Sequence, residues 1–124
     1  MIDKEWLVRR AMQAAPFEAC GFIMDDGEIV EIRNESPTPL SSFQMGRVQF
    51  TEKVGHRIDS VQAIWHTHPR GSIHPSQKDL EGIRAGAIAP HWDYYIVTSL
   101  GVHQYDTSLY APKSHDHWSK FRND

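Results

Sequence analysis

Residues 64–82, IWHTHPRGSIHPSQKDLEG, determine how the rest of this sequence is interpreted. The apolar residues around Trp65 predict a buried strand, and Pro69 forces the chain out of it. His66 and His68 are two residues apart at the end of this strand, so their side chains leave it on the same side. Both imidazoles can therefore reach one metal ion.

A helix is predicted to follow, because Ser76 can act as an N-cap for apolar residues at helical spacing. Asp79 lies one turn into this helix, on the face that carries the Ser76 hydroxyl. Two imidazoles and one carboxylate suit Zn²⁺ and leave a fourth tetrahedral position for water, which is typical of a catalytic zinc. Taken separately, Ser-x-x-acid is also the pattern of a capping box, and a single HxH is a common chance pattern. A purely structural interpretation therefore stays open at this level.

Outside this stretch, the apolar pattern predicts one mixed sheet flanked by helices. Asp3 can cap a first helix that Pro16 ends, and Thr51 can cap a second. The DDG at residues 25–27 supplies the glycine that a hairpin turn needs. The predicted order is a helix (3–15), a hairpin (19–33), a short strand (43–45), a helix (50–58), a strand (60–66), a helix (76–87) and a hairpin (93–106). The fold class is therefore α/β (α+β) around one sheet.

Length and composition are those of one soluble domain. The chain has 124 residues, of which 40% are hydrophobic, and this suffices for one core. We expect a domain over residues 1–112 and a polar tail over residues 113–124. The net charge of −3, with no basic stripe, argues against a nucleic-acid partner. No apolar run approaches the roughly 20 residues that cross a bilayer, and the start MIDKEW lacks the basic segment of a signal peptide, so we expect a cytoplasmic chain without a membrane partner.

Cys20 is the single cysteine, so neither an internal disulfide nor a CxxC motif can form. A metal must therefore be held by histidines and carboxylates. Because Cys20 lies in a predicted strand, we expect it to be a small core residue, and the adjacent Gly21 to permit close backbone approach. His74, in the loop before Ser76, is expected to be a solvated residue rather than a ligand.

HTHPRGSIHPSQKD, at residues 66–79, resembles position for position the H-x-H-P-(six residues)-S-x-x-D signature of the JAMM metallopeptidases, also called the MPN+ or JAB domain. PFEACGFIM, at residues 16–24, resembles the start of the family's glutamate-bearing strand. The resemblance extends from the first helix to about Tyr110. It implies a single JAMM/MPN domain with a mixed central sheet flanked by helices, in a cytidine-deaminase-like layout.

The resemblance also implies a role for five residues. His66, His68 and Asp79 become the ligands of Zn²⁺. Ser76 becomes the residue that stabilises the oxyanion, and Glu18 becomes the general base that activates the attacking water. Composition alone leaves four rival glutamates as bases: Glu28, Glu31, Glu35 and Glu52.

These assignments predict a zinc-dependent metallopeptidase or isopeptidase that hydrolyses an amide bond with an activated water. The lack of long insertions favours a small prokaryotic or phage-type member of the family. The expected partner is a protein or peptide substrate: a ubiquitin-like or sulfur-carrier tail, a phage tail protein or a cell-wall peptide. The alternative is a phage tail-tip assembly module that binds zinc without catalysis. A phage-encoded protein would be virion-associated instead of cytoplasmic.

Overall fold

The structure is a computed structural model that describes residues 2–109. The predicted polar tail, residues 113–124, and the predicted domain boundary before it lie outside the described residues. The α-helices are α1 (Lys4–Ala14), α2 (Arg47–Lys53) and α3 (Gln77–Arg84). The strands are β1 (Cys20–Met24), β2 (Ile29–Ile32), β3 (Val61–Thr67), β4 (Asp93–Thr98) and β5 (Gly101–Tyr105). Short 3-10 helices span Gly55–Ser60 and Thr107–Leu109.

The five strands form one mixed sheet in the order β2-β1-β3-β4-β5. Strands β3 and β4 are parallel, and the other neighbouring pairs are antiparallel. A parallel pair needs a crossover connection, and α3 provides it between β3 and β4. The prediction of a mixed sheet flanked by helices is therefore confirmed, and the two predicted hairpins form its two edges. Among residues 2–109, every helix is too short or too polar to cross a bilayer.

Both faces of the sheet are covered, so β1 and most of β3 and β4 are buried on both sides. On one face, Leu7 and Ala11 of α1 pack with Trp65 in one apolar cluster. On the other face, Ile83 of α3 belongs to a second cluster that contains Phe22 of β1. The candidate site described below lies at the edge of this second cluster.

Helix α1 begins as its sequence predicts, because the Trp6 N–H donates to the Asp3 carboxylate at 3.0 Å. Only a narrow apolar stripe of this helix is buried. Met12 is exposed, since the side chains that reach the sheet come from the face of Leu7 and Ala11. The hairpin turn is confirmed, with Gly27 at a φ of 92°.

Helix α2 differs from its prediction. Thr51 was expected at the N-cap but lies inside the helix, which begins after Gly46. Gly55 adopts a φ of 48°, a left-handed conformation that ends the α-helix before a 3-10 helix continues the chain. The strand predicted at residues 43–45 is wrong. Met45 forms only an isolated bridge with Asn34.

Helix α3 ends at Arg84, three residues earlier than predicted. Gly86 adopts a φ of 77° and its N–H donates to the Ile83 carbonyl at 3.1 Å. The Ala87 N–H donates to the Gly82 carbonyl at 3.0 Å. This pair of hydrogen bonds is a Schellman motif, which ends the helix. Ala87 therefore lies beyond the end of α3 and is exposed, instead of on the apolar face of the helix.

Cys20 and Gly21 begin the inner strand β1 and behave as predicted. Cys20 is fully buried, and its Sγ donates to the Ile32 carbonyl at 3.4 Å. Burial raises the pKa of the Cys20 thiol to about 12. A Cβ added at Gly21 would lie 2.1 Å from the Val30 carbonyl oxygen, so the neighbouring backbone leaves no room for a side chain.

Gly21→Ala is expected to lower the free energy of unfolding by about 3 kcal/mol, because the clash is with backbone that cannot rotate away. Urea denaturation monitored by circular dichroism measures this change. Gly82→Ala is the matched control: a Cβ there meets open space, and replacing a helical glycine raises stability by up to about 1 kcal/mol. Equal effects of the two substitutions would contradict the packing described for β1.

The Cys20 thiol is expected to be inert in the folded protein. Its raised pKa leaves about a thousandfold less thiolate near pH 8 than an unperturbed cysteine, and its burial excludes the reagent. Labelling with a chromogenic disulfide should therefore be slow in buffer and rapid in denaturant. Rapid labelling of the native protein would show that β1 opens or that Cys20 is exposed.

Candidate functional site

The register between β1 and β3 brings Glu18 to the histidine pair. Cys20 is paired with His66, so Glu18, two residues before Cys20, lies beside the end of β3. The Ala19 N–H donates to Thr67 Oγ1, and the Thr67 N–H donates to the Ala19 carbonyl, each at 2.9 Å. These bonds tie the segment that carries Glu18 to the segment that carries the histidines.

The first turn of α3 carries Asp79 to the same place. The Asp79 N–H donates to Ser76 Oγ at 3.1 Å, and the Ser76 N–H donates to Asp79 Oδ2 at 2.8 Å, so the two residues form a capping box. Asp79 Oδ2 also lies 3.1 Å from His68 Nε2 and 3.6 Å from His66 Nε2. The structural interpretation of the SxxD pattern therefore holds, and it places the carboxylate against both imidazoles.

His68 has a defined tautomer. Its Nδ1 lies 2.9 Å from the Ser72 carbonyl oxygen, and since a carbonyl only accepts, Nδ1 carries the proton. In the neutral ring, Nε2 is then an acceptor that faces Asp79 Oδ2. A hydrogen bond from Nδ1 to a backbone carbonyl is the arrangement that orients many metal-binding histidines.

His66 is fully buried and has polar groups at both ring nitrogens. Its Nε2 lies 2.9 Å from the Tyr94 hydroxyl, and its Nδ1 lies 3.5 Å from Glu18 Oε1. Phe43 stacks on the ring with centroids 4.4 Å apart. Within residues 2–109, His66 Nδ1 and Glu18 Oε1 are buried and have no hydrogen-bond partner. Two unpaired buried polar atoms in contact call for an additional polar group, such as a metal ion or a water molecule.

The electrostatics of the pair formed by His68 and Asp79 favour opposite charges. Burial disfavours the charged form of each side chain. The hydrogen bond between the two side chains, the bond that the Ser72 carbonyl accepts from His68 and the bond that the Ser76 N–H donates to Asp79 together outweigh this effect. The pKa of Asp79 is therefore lowered and that of His68 is raised. Burial raises the pKa of Tyr94, which keeps its hydroxyl neutral.

The donor atoms can hold a metal ion. One set of ligand atoms, from Glu18, His66 and His68, lies within 4.8 Å of one another, and all three residues are buried. Asp79 is outside this set, although its Oδ2 approaches both imidazoles more closely than that limit. Glu18 and Asp79 therefore each approach the same pair of imidazoles, and imidazole nitrogens with carboxylate oxygens are a suitable donor set for Zn²⁺.

The rival glutamates, His74 and Cys20 lie outside the candidate metal site. Of the five glutamates considered as bases, Glu18 is buried beside His66, whereas Glu28 pairs with Arg57 and Glu31 pairs with Arg10. The other two, Glu35 and Glu52, are exposed. His74 is exposed in its loop, and Cys20 Sγ is bonded to a backbone carbonyl, so neither belongs to the donor set.

Three residues at the site have no signal in the sequence. Tyr94 contacts His66 from β4, and Phe43 contacts it from the loop before α2.

The third residue, Asn34, uses its whole side-chain amide: Nδ2 donates to the carbonyls of Glu18 and Ser42 at 2.9 and 3.0 Å. Its Oδ1 accepts from two backbone N–H groups, those of Ser36 and Gln44. Asn34 thereby joins the Glu18 backbone to the loop that carries Phe43, and only the strand register and the loop path could have revealed it.

Comparison with known proteins assigns the family. No curated protein matches the chain. Among solved structures, the chain is similar to the solution structure of protein DSY2949 from Desulfitobacterium hafniense, with a TM-score of 0.54 and 24% identity over 82% of this chain and 84% of that chain. At this identity the similarity concerns the fold alone. The family model described as prokaryotic homologs of the JAB domain matches residues 4–111. Because this match covers most of the sequence and includes every residue of the candidate site, the chain belongs to the prokaryotic homologs of the JAB domain.

Proposed function

We propose that this protein is a zinc-dependent hydrolase that cleaves an amide bond of a protein or peptide substrate. In this proposal His66, His68 and Asp79 bind the zinc ion. Glu18 is the general base and Ser76 stabilises the oxyanion. Family membership supports metal-dependent hydrolysis as the class of reaction, and the buried cluster of carboxylates and imidazoles supports a metal centre.

The observation that carries the proposal is the contact between His68 Nε2 and Asp79 Oδ2. In the neutral tautomer both atoms are acceptors, yet they are 3.1 Å apart in a buried site. A cation between them, either a proton or a metal ion, removes the repulsion. Ligands of one tetrahedral zinc ion lie about 3.3 Å apart, given bonds of about 2.0–2.1 Å. The distances from Asp79 Oδ2 to His68 Nε2 and His66 Nε2, 3.1 and 3.6 Å, bracket this value.

Glu18 has the properties of a proton acceptor in this site. A zinc ion held here would polarise the scissile carbonyl and lower the pKa of an attacking water. Glu18 Oε1 is buried and unpaired within residues 2–109, so it is free to accept a proton from that water. Its backbone is fixed on both sides, by Asn34 Nδ2 at the carbonyl and by the Pro39 carbonyl at the N–H. The backbone that carries the carboxylate is therefore held beside His66, and the carboxylate can return the proton to the leaving amine.

Ser76 can cap α3 and act in catalysis at the same time. Its Oγ accepts a hydrogen bond from the Asp79 N–H, and capping uses only this acceptor function. The hydroxyl proton is not needed for the cap, so it can donate to an oxygen that develops negative charge. Because Ser76 is partly exposed, a substrate can reach this hydroxyl from solvent.

Asp79→Asn is expected to reduce zinc affinity at least tenfold, whereas Glu18→Gln is expected to keep about one zinc per chain. The reason is that an amide is a weaker ligand than a carboxylate, while Glu18 in this proposal is not a ligand. Protein purified without a histidine tag after growth with zinc is analysed by elemental mass spectrometry. Asp59→Asn and Glu52→Gln, at exposed positions, are the matched controls.

The reverse pattern, with zinc lost from Glu18→Gln and kept by Asp79→Asn, would assign the ion to Glu18, His66 and His68 instead. Less than about one-tenth zinc per chain in the unaltered protein would contradict a zinc site. Asp79→Asn keeps an acceptor oxygen for the Ser76 N–H but loses the charge that faces His68, so its thermal unfolding is measured beside its zinc content to separate a loss of metal from a loss of fold.

Cleavage of fluorogenic peptide and isopeptide substrates is expected to stop with chelator and to return with zinc. Glu18→Gln loaded with zinc should be slower by about 10²–10⁴-fold, because proton transfer then lacks its acceptor. Ser76→Ala should be about a hundredfold slower, and Ser76→Thr should keep more of the rate because it keeps the hydroxyl. The substrate panel includes ubiquitin-like and sulfur-carrier tails, phage tail peptides and cell-wall peptides.

Activity that survives both chelator and Glu18→Gln would contradict the metal mechanism. Zinc-loaded protein that cleaves no member of the panel would favour an assembly module that binds zinc without catalysis. Zinc content and circular dichroism are measured on every variant, so that a loss of rate is not confused with a loss of metal or of fold.

A further inference from the structure

A large apolar cavity lies between α3 and the sheet, directly beside the candidate metal site. Its volume is about 710 Å³, which is within the range of about 300–1,000 Å³ for small-molecule pockets. Its walls are mainly apolar side chains from the sheet, from the loop before α2, from α2 and its 3-10 helix, and from the segment after α3. A concave and mainly apolar space of this size is the usual form of a ligand-binding site.

The cavity shares walls with the metal site. Asp79, Tyr94 and Phe43 line it, and these three residues also contact His66. A group inside the cavity would therefore lie next to the atoms that hold the ion. This adjacency favours part of the hydrolysed substrate as the occupant over a ligand with an unrelated role.

Small residues on α3 and just after its end keep the cavity open. Gly82 lines it, and a Cβ added there meets no atom within 4 Å. Glycine inside a helix costs about 1 kcal/mol relative to alanine, and neither packing nor a positive φ requires it at this position. In a Schellman motif the residues that occupy the positions of Gly82 and Ala87 frequently make an apolar contact. Here both are small and both line the cavity, so the space that such a contact would fill is left free.

One wall offers a polar group. Trp92 lines the cavity, and its Nε1 is buried without a hydrogen-bond partner among residues 2–109. Its ring is held by an edge-on contact with Phe22, with centroids 5.5 Å apart. An occupant that carries a hydrogen-bond acceptor would remove the cost of this unpaired donor.

We infer that this cavity is a specificity pocket that receives a large apolar side chain, of the size of phenylalanine, from the substrate residue beside the hydrolysed bond. The inference rests on the proposed hydrolase function for the identity of the occupant. The small side chains at Gly82 and Ala87 leave space in the cavity, and the apolar walls supply the binding energy. Trp92 Nε1 donates to an acceptor of the bound residue.

Two measurements test the pocket separately from catalysis. The first is binding of N-acetyl-phenylalaninamide to the ¹⁵N-labelled full chain, observed by NMR at the Trp92 indole N–H, which Trp92→Phe assigns. We expect the chemical shift of the Trp92 indole N–H to change saturably, with a Kd of about one millimolar, as is usual for a ligand of this size. N-acetyl-alaninamide, which lacks the large side chain, should bind more weakly. Gly82→Leu should weaken binding at least about tenfold, because its side chain fills the cavity. Ala85→Leu adds the same side chain at an exposed position outside the cavity walls and should leave binding unchanged.

The second measurement uses a fluorogenic peptide series in which the residues beside the scissile bond are glycine, alanine, leucine or phenylalanine. The unaltered protein should prefer phenylalanine, and Gly82→Leu should lower the ratio of kcat/KM for phenylalanine over alanine at least about tenfold. Ala85→Leu, outside the cavity walls, should keep the ratio of the unaltered protein. A ratio that Gly82→Leu leaves unchanged would overturn the inference.

The two measurements also separate this inference from the proposed function. If no peptide is cleaved but the probe binds and Gly82→Leu blocks it, the hydrolase proposal fails and the pocket stands as a binding site. If peptides are cleaved without preference and the probe does not shift Trp92, the hydrolase proposal stands and the pocket fails. Probe binding that is equal in Gly82→Leu and in the unaltered protein would place the probe elsewhere and overturn the inference. Unfolding curves of both leucine variants confirm that the fold is intact.

Discussion

The carboxylate of Asp79 takes part in two structures at once, and the candidate site depends on this sharing. Its Oδ2 accepts the Ser76 N–H at the start of α3 and also faces His66 and His68. The capping box therefore fixes the carboxylate before any ligand binds. A negative charge in the first turn of a helix is also favourable, because the helix dipole and the free N–H groups stabilise it. The same bonds that begin the helix thus supply a preorganised anion next to two imidazoles.

The position of the sheet beneath α3 makes this sharing possible. Parallel strands β3 and β4 need a crossover, and the crossover helix begins at the carboxyl end of β3, where the histidines lie. The antiparallel neighbour β1 begins at the same edge and brings Glu18. Donors from three separate segments therefore meet in a buried place. Burying them is costly, and the cost is offset only if each polar atom finds a partner. The unpaired atoms of Glu18 and His66 are where a further polar group would complete the network.

Sequence reasoning succeeded where the determining pattern is local. The HxH pair lies on one side of a strand because of strand periodicity, and the SxxD pattern forms a cap because of helix geometry; both are properties of a few consecutive residues. Glu18 could not be derived in this way, since its contact with His66 spans 48 positions along the chain and depends on the β1–β3 register. Only the family resemblance selected it. Tyr94 and Asn34 were missed for the same reason, and the end of α3 was misplaced because apolar spacing continued past the glycine that stops the helix.

The cavity beside the site is connected to the cap through α3. Asp79 lies in its wall, and Gly82 lies less than one turn further along the same helix. The capping box that fixes the Asp79 carboxylate also fixes the first turn of α3, and so the position of this wall. An apolar group that fills the cavity would therefore pack against a helix that is already in place. The candidate metal site and the cavity thus depend on the same local structure, the first turn of α3.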